Sequence, residues 1–514
     1  MRGHIAMTSH ERPSTLSELL TARARSEGDR LAFAERDERL TYRELFEQAS
    51  AIASGLYERG IRPHDHVALS LHAGLDFMRV FWALQLVGAV TCALNPYTPP
   101  ASVLRRAMRV RPRLLITHDE ALVAEAAKAS VETCLLRDLP RSAAPLPPNG
   151  VVAEDIAVLQ TTSGTSGEPR AAMIRHRNII TSIDGAITAL GFSEKDVLVG
   201  WVPPWHDLGL IRFVIGTLYF KAACHIVQPA IQTIPEWLKT IETARATITG
   251  APDFAYRLAA RLVDPKTVDL SSLRDATNGG EPVRLSTMEA FEKTFNVPGR
   301  MKPGYGLAEA TLGVTCMRPG EPRRVDARGN VSNGRPLPDI ELRIEGEEGE
   351  PGEIVVGGPL VFAGYFDAEE ATNATLRDGL LYTGDIGQLD ADGHLYILGR
   401  KRAMLKRGGA VIAPRELEEA AQHVAGVKIA CATGVSRGDA TEDIVVAVEV
   451  DEKDDLARIK REVAESVRAS LGFAPERVIA MKRNTIPRTY NGKLRHDALR
   501  KGLLEGTLDA AILQ

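Results

Sequence analysis

The segment Thr161-Thr162-Ser163-Gly164-Thr165-Ser166-Gly167-Glu168-Pro169-Arg170 decides how the rest of the chain is read. It follows an apolar run, Ile156-Ala157-Val158-Leu159, and precedes a stretch expected to be helical. Glycines and small hydroxyl residues leave backbone N–H groups free to converge on a concavity, and the hydroxyls add donors of their own. Such a decamer suits a polyphosphate cradle, with Arg170 as a fixed positive charge at its end. Read alone, it serves equally well as a surface loop. No Gly-Lys-Ser/Thr ending is present, so this is not a Walker loop.

On either side of this segment, strand and helix patterns alternate through the first two thirds of the chain. Thr41 and Glu44 stand at capping-box spacing, and Leu45, Ala49, Ile52 and Leu56 follow as one apolar helix face. His66–Leu71 reads as a strand and Asp76–Val87 as a helix. This βαβα order predicts an α/β fold with layered, largely parallel sheets. Near Asp339 the pattern changes to short strands, Ile340–Ile344 and Gly352–Val356, separated by turn residues. Beyond Pro414 a helix, a strand over Ile444–Val450 and a helix over Leu456–Leu471 predict a compact α+β unit. The expected organisation is a large N-terminal domain of several subdomains (1–398), a hinge (399–403) and a small mobile C-terminal domain (404–514).

Composition fits that plan and excludes other classes. A chain of 514 residues exceeds what one hydrophobic core normally serves, so two or more domains are expected. Hydrophobic residues at 44% and charged residues at 25% exclude a disordered or fibrous protein. A net charge of -4 offers no bulk attraction to nucleic acid or anionic lipid. The basic run Arg105–Arg113 reads as a solvated helix face. Cys92, Cys134, Cys224, Cys316 and Cys431 show no paired spacing, which suits a reducing compartment. The first residues lack the apolar core of a signal peptide, and Val80–Leu94 is too short for a bilayer span. A cytoplasmic protein without a membrane span is the expectation.

Six further segments follow the Ser/Gly decamer in order. They are Gly200-Trp201-Val202-Pro203-Pro204-Trp205-His206-Asp207-Leu208-Gly209-Leu210, Asn278-Gly279-Gly280-Glu281-Pro282, Gly304-Tyr305-Gly306-Leu307-Ala308-Glu309-Ala310-Thr311, Tyr382-Thr383-Gly384-Asp385, Gly399-Arg400 and Pro487-Arg488-Thr489-Tyr490-Asn491-Gly492-Lys493. Together these resemble the adenylate-forming superfamily of acyl-CoA synthetases, fatty-acyl-AMP ligases, luciferases and peptide-synthetase adenylation domains. The resemblance covers nearly the whole chain from Leu40-Thr41-Tyr42 onward. The wording of Trp201–Leu210 and Tyr305–Thr311 is nearest the fatty-acyl-AMP ligase branch. The acidic residue with which peptide-synthetase domains hold an amino group has no equivalent, so an amino-acid substrate is disfavoured.

The resemblance implies roles for individual residues. Thr162, Ser163, Gly164, Thr165, Ser166, Gly167 and Arg170 would hold the phosphates of ATP. Glu309 would coordinate Mg²⁺, since carboxylate oxygens suit a hard cation. Gly279, Gly280, Glu281, Tyr305, Gly306 and Ala308 would line the nucleotide pocket, with Tyr305 against adenine. Asp385 would accept hydrogen bonds from the ribose hydroxyls, and Ile397 and Arg400 would complete the site. Lys493 would bridge the carboxylate and the α-phosphate. His206 would gate an acyl pocket that includes Trp205, Leu208 and Gly209. Arg402 and Ala403 would form the hinge, and Gly408 and Gly409 the wall of a tunnel for the pantetheine arm of coenzyme A. Taken singly, each has a plainer reading: a helix-terminal Glu309, a turn Asp385, a solvated Lys493, a packed His206, a turn at Gly408-Gly409.

Three departures bear on function. Arg170 stands where relatives usually carry lysine, and a planar fork is not equivalent to a point charge. Ala403 stands where relatives usually carry the hinge aspartate. Only Leu312–Asn330 separates the Glu309 segment from Val331-Ser332-Asn333-Gly334-Arg335-Pro336-Leu337, so the insertion of fatty-acyl-AMP ligases is largely missing. The implied activity is an acid:CoA ligase that converts ATP to AMP and pyrophosphate on a hydrophobic carboxylic acid. The alternatives are a ligase loading an acyl carrier protein, an enzyme working mainly on a supplied acyl-adenylate, and a binding-only descendant. Retention of Glu309, Asp385 and Lys493 speaks against the last.

Overall fold

The computed structural model describes residues 12–162, 169–347, 349–407, 410–436, 442–488 and 494–513. Among these, local rules place many elements where the sequence puts them. Thr41 caps the helix Tyr42–Glu58 with both bonds of the capping box in place, and that helix buries Leu45, Ala49, Ile52 and Leu56. The strand His66–Ser70 and the helix Leu75–Val87 follow as expected.

A six-stranded sheet runs in the order Thr133–Leu135, Leu114–Thr117, His66–Ser70, Val90–Ala93, Ile156–Thr162, Arg170–Arg175. Its strands are parallel except the last pair, which is antiparallel. A nine-stranded sheet contains the parallel neighbours Ala223–Ile226, Val197–Gly200, Ile248–Ala251, Asp275–Asn278 and Met301–Gly306. Runs such as Leu114-Leu115-Ile116 are fully buried, as parallel strands covered on both faces must be. A five-stranded sheet includes Glu341–Glu345, Gly352–Gly357, Leu380–Leu389 and Leu395–Arg400.

One local expectation is corrected. The Ser/Gly segment does not lead into a helix: Arg170–Arg175 is a strand that pairs back on Ile156–Thr162, with Thr162 opposite Arg170. Ala171, Ala172 and Ile174 bury their side chains there, and the helix starts only at His176. The two strands that flank the segment are therefore antiparallel neighbours in one sheet.

The chain divides into two compact units. The first comprises residues 1–343, 355–382 and 390–395, and carries the six- and nine-stranded sheets. The second comprises residues 344–354, 383–389 and 396–514. Within the second, Ile429–Ser436, Glu442–Glu449 and Arg477–Met481 form a three-stranded sheet. Helices Pro414–Gln422 and Leu456–Leu471 pack on it through Leu417, Ala421, Ile459, Val463 and Val467. Mixed α/β layers with a small α+β unit are the predicted class. No helix among the described residues is long and apolar enough to cross a membrane.

Candidate active site

The first unit carries a closed circuit of contacts among the segments singled out in the sequence. Arg170 opens the returning strand of the hairpin, and its guanidinium lies over the ring of Tyr365, 5.3 Å from the centroid. The Tyr365 hydroxyl donates to Glu309 Oε1 at 2.6 Å. Glu309 sits on the 3-10 turn Ala308–Ala310 that follows the strand Met301–Gly306. On that strand Gly304 presents its carbonyl to Gly279: a Cβ at Gly279 would lie 3.1 Å from it. Gly280, next along, faces His206, whose Cε1 would be 3.9 Å from a Cβ built there. The neighbouring Trp205 carbonyl accepts from Gln160 Nε2 at 2.9 Å. Gln160 lies on the same strand as Thr162, which stands opposite Arg170, so the circuit closes.

Local geometry explains these placements. The turn after Gly306 folds so tightly that a Cβ there would sit 1.6 Å from the Leu312 carbonyl, so only glycine fits. Phe362 N–H then donates to the Glu309 carbonyl at 2.9 Å, and Thr311 Oγ1 donates to the Leu360 carbonyl at 2.6 Å. The segment carrying Tyr365 pairs with the hairpin, since Phe366 N–H donates to the Ala171 carbonyl at 2.8 Å. Burial, then the negative charge of Glu309, push the Tyr365 phenol well above its ordinary pKa. It therefore stays protonated and keeps donating. Sequence reasoning missed Tyr365, because nothing in Gly364-Tyr365-Phe366 signals that it reaches Glu309.

Asp253 was also missed. It is fully buried and accepts from Asn278 Nδ2 at 3.1 Å, Arg284 N–H at 3.0 Å and Thr287 Oγ1 at 2.8 Å. It thus clamps both ends of the Gly279-Gly280-Glu281 turn. Glu281 Oε1 accepts from Phe254 N–H at 2.5 Å, so this carboxylate braces the helix Asp253–Leu262. Tyr305 is half-buried and stands opposite Thr315 on the adjoining strand. Ala308 is half-buried on the Glu309 turn.

Around His206, Trp205 is buried and meets the Tyr97 ring edge-on at 5.6 Å. His206 Nδ1 lies 2.5 Å from Asp207 Oδ1, a close approach of sequence neighbours without hydrogen-bond alignment. Asp207 Oδ1 instead accepts from Leu208 N–H at 2.7 Å and caps the next helix. That helix, Leu208–Ile215, has π winding, a rare form that occurs frequently at functional sites. Gly209 is pressed against Pro203, whose carbonyl would lie 2.0 Å from an added Cβ.

In the second unit, Arg400 Nε lies 2.8 Å from Asp385 Oδ1, and Arg400 Nη1 donates to the Thr383 carbonyl at 3.2 Å. Asp385 N–H donates to Thr383 Oγ1 at 3.1 Å, which fixes the acid on its strand. Ile397 is half-buried on Leu395–Arg400. After it, Ala403 N–H donates to the Arg400 carbonyl at 2.9 Å, a turn in which Arg402 is exposed. Ser163, Gly164, Thr165, Ser166, Gly167, Gly408, Gly409 and Lys493 lie outside the described residues. The strands Leu405–Arg407 and Ala410–Ile412 pair antiparallel, with Arg407 opposite Ala410.

Comparison with known proteins identifies a family for the chain. A family model described as AMP-binding enzyme matches residues 20–366. A Mycobacterium tuberculosis protein named only as a ligase is 31% identical, over 89% of this chain and 93% of its own. The medium-chain-fatty-acid acyl-carrier-protein ligase JamA of Moorena producens is 29% identical, over 96% of each chain. A solved structure from a study of fatty acyl-adenylate ligases of E. coli and L. pneumophila superposes with a TM-score of 0.85 at 25% identity, over 97% of this chain and 99% of that one.

Proposed function

The chain belongs to the AMP-binding enzyme family, and from that premise we propose that it condenses ATP with a hydrophobic carboxylic acid and passes the acyl group to coenzyme A. In the first step a carboxylate oxygen attacks the α-phosphorus, the bond to the bridging oxygen breaks and pyrophosphate leaves. In the second, the thiolate of coenzyme A attacks the acyl carbon and AMP leaves with its phosphate oxygen. Both reactants of the first step are anions, so the site must neutralise charge and fix orientation.

The observation that carries the reading is the Arg170–Tyr365–Glu309 constellation at the mouth of the Thr162/Arg170 hairpin. It offers one fixed cation toward phosphate and one carboxylate oriented by a phenol. Glu309 fits a divalent magnesium ion, which takes few protein carboxylates and keeps its other positions for water and phosphate. When bound there, the ion would neutralise phosphate charge. Gly279, Gly280, Glu281, Tyr305, Gly306 and Ala308 would receive the adenine. Asp385, oriented by Arg400 and Thr383, would take the ribose, with Ile397 beside them. Lys493 would deliver the second cation to the α-phosphate. His206, beside Gly280, would stand between nucleotide and acid, with Trp205, Leu208 and Gly209 walling the acyl pocket.

Residues 1–398 would hold the adenylate, Arg402 and Ala403 would turn within the hinge 399–403, and residues 404–514 would rotate to bring Gly408-Gly409 to the thiol path. Coenzyme A is preferred because residues 317–334 contain no inserted fold. Among the described residues this stretch is a loop closed by a Val325–Val331 bridge, and it rests on residues 390–395 through Ser332 Oγ, 2.9 Å from His394 Nδ1. A carrier-protein acceptor is the second reading, favoured by the wording shared with fatty-acyl-AMP ligases and by JamA among the relatives.

The test is an acid panel with pyrophosphate and thioester followed separately. Pyrophosphate with ATP and acid alone, then thioester on adding coenzyme A, is expected. Thioester formed only on a carrier protein would select the second reading. Thioester from supplied acyl-adenylate, without pyrophosphate from ATP, would show that adenylation is not this enzyme's step.

A further inference from the structure

The π-helix Leu208–Ile215 faces a part of the nine-stranded sheet from which two side chains are missing. Gly216 N–H closes the helix on the Ile211 carbonyl, five residues back, and all eight of its residues are buried. On the sheet, Gly200 and Gly250 stand side by side in register on neighbouring parallel strands. Two adjacent glycines on one face leave a gap in the layer of side chains above the sheet.

In this protein the gap is filled. A Cβ at Gly200 would lie 3.3 Å from the Phe213 side chain, and one at Gly250 would lie 3.1 Å from Phe213 Cζ. The ring therefore spans both glycines. Arg212, the residue before it, is tied down: its Nη1 donates to Thr277 Oγ1, and Thr277 Oγ1 donates in turn to buried Asp275 Oδ1 at 2.6 Å. The guanidinium also lies 5.4 Å from the centroid of the Phe192 ring. Swinging Phe213 out of the gap would disturb a buried charged network, which is costly.

We propose that Phe213, positioned by Arg212, closes the inner end of the acyl pocket and limits the substrate to acids with a short chain or a single ring. The inference rests on the reading of His206 and Leu208 as the outer part of that pocket. His206 precedes Phe213 by seven residues and lies just before the helix that carries it.

The test is ATP–pyrophosphate exchange with straight-chain acids from butyrate to tetradecanoate and with benzoate, on the wild type, Phe213→Leu and Phe213→Ala. The wild type is expected to lose at least about tenfold in kcat/KM between hexanoate and dodecanoate, the scale that a pocket wall supplies. Phe213→Ala is expected to shift the dodecanoate-to-hexanoate ratio upward by about tenfold or more, with Phe213→Leu between. The ratio is internal to each variant, so partial loss of folded protein does not alter it, and Leu stands in if the Ala variant fails to fold. A wild type that uses dodecanoate as well as hexanoate, or an unchanged ratio in both variants, would overturn the proposal. Absence of exchange with every acid, together with failure to bind AMP, would contradict the adenylation reading itself and remove the pocket with it.

Discussion

The hydroxyl of Tyr365 donates to Glu309 Oε1 at 2.6 Å while the same ring lies beneath the guanidinium of Arg170. One buried phenol thus links the residue proposed to hold magnesium with the residue proposed to hold phosphate. Neither position is adjacent to Tyr365 in sequence.

Tyr365→Phe keeps the ring and removes the donor. A hydrogen bond to a charged acceptor contributes about 1.5–3 kcal/mol, so the exchange rate should fall roughly 10- to 100-fold. The magnesium concentration giving half-maximal rate should rise, while folding stays nearly unchanged. An unaltered magnesium dependence would remove Tyr365 from the site.

Arg170→Lys retains charge but loses the flat face that rests on Tyr365. Its KM for ATP should rise only several-fold, whereas Arg170→Ala should raise it by about 100-fold, the loss of one charged contact. Equal effects of the two substitutions would show that the charge does not meet phosphate.

Asp385 is proposed to take the ribose hydroxyls, so Asp385→Asn should narrow the preference for ATP over 2′-deoxy-ATP. A wild-type ratio of about tenfold collapsing toward unity is the expected result, the worth of one charge-assisted hydrogen bond. A ratio that survives the substitution would assign Asp385 to structure alone.

His176 opens the helix after the hairpin, and its Nδ1 accepts from Leu16 N–H at 3.2 Å, which requires the neutral ring. Burial lowers its pKa to about 4, only partly opposed by Asp155 and Glu18. A histidine pKa depressed on folding contributes stability that is complete above the unfolded value and is lost as pH falls toward the folded one. Between about pH 6.5 and pH 4, unfolding free energy should therefore fall by up to ~1.4 kcal/mol per pH unit from this group. His176→Gln should flatten that part of the pH profile in denaturant titrations. An unchanged slope would show that other groups set the acid limit.

Much of the fold was legible because its signals are local. The Thr41–Glu44 capping box and the apolar period of Leu456–Leu471 each specify an element without help from distant residues. The Arg170–Arg175 strand was not legible, because Arg-Ala-Ala-Met-Ile-Arg has no decisive period and gains its strand form from pairing with Ile156–Thr162. The site divides in the same way. Glu309 and His206 stand in distinctive wording, whereas Tyr365 and Asp253 make their contacts across many intervening residues. Such partners become visible only when the sheets bring them together.

Transfer of oxygen isotope tests the central claim most directly. With the substrate acid labelled with ¹⁸O in its carboxylate, attack on the α-phosphorus leaves one labelled oxygen in AMP after the acyl group departs to a thiol. Mass spectrometry of the AMP should find that single label. AMP carrying no label, or label appearing in inorganic phosphate instead, would contradict an acyl-adenylate route.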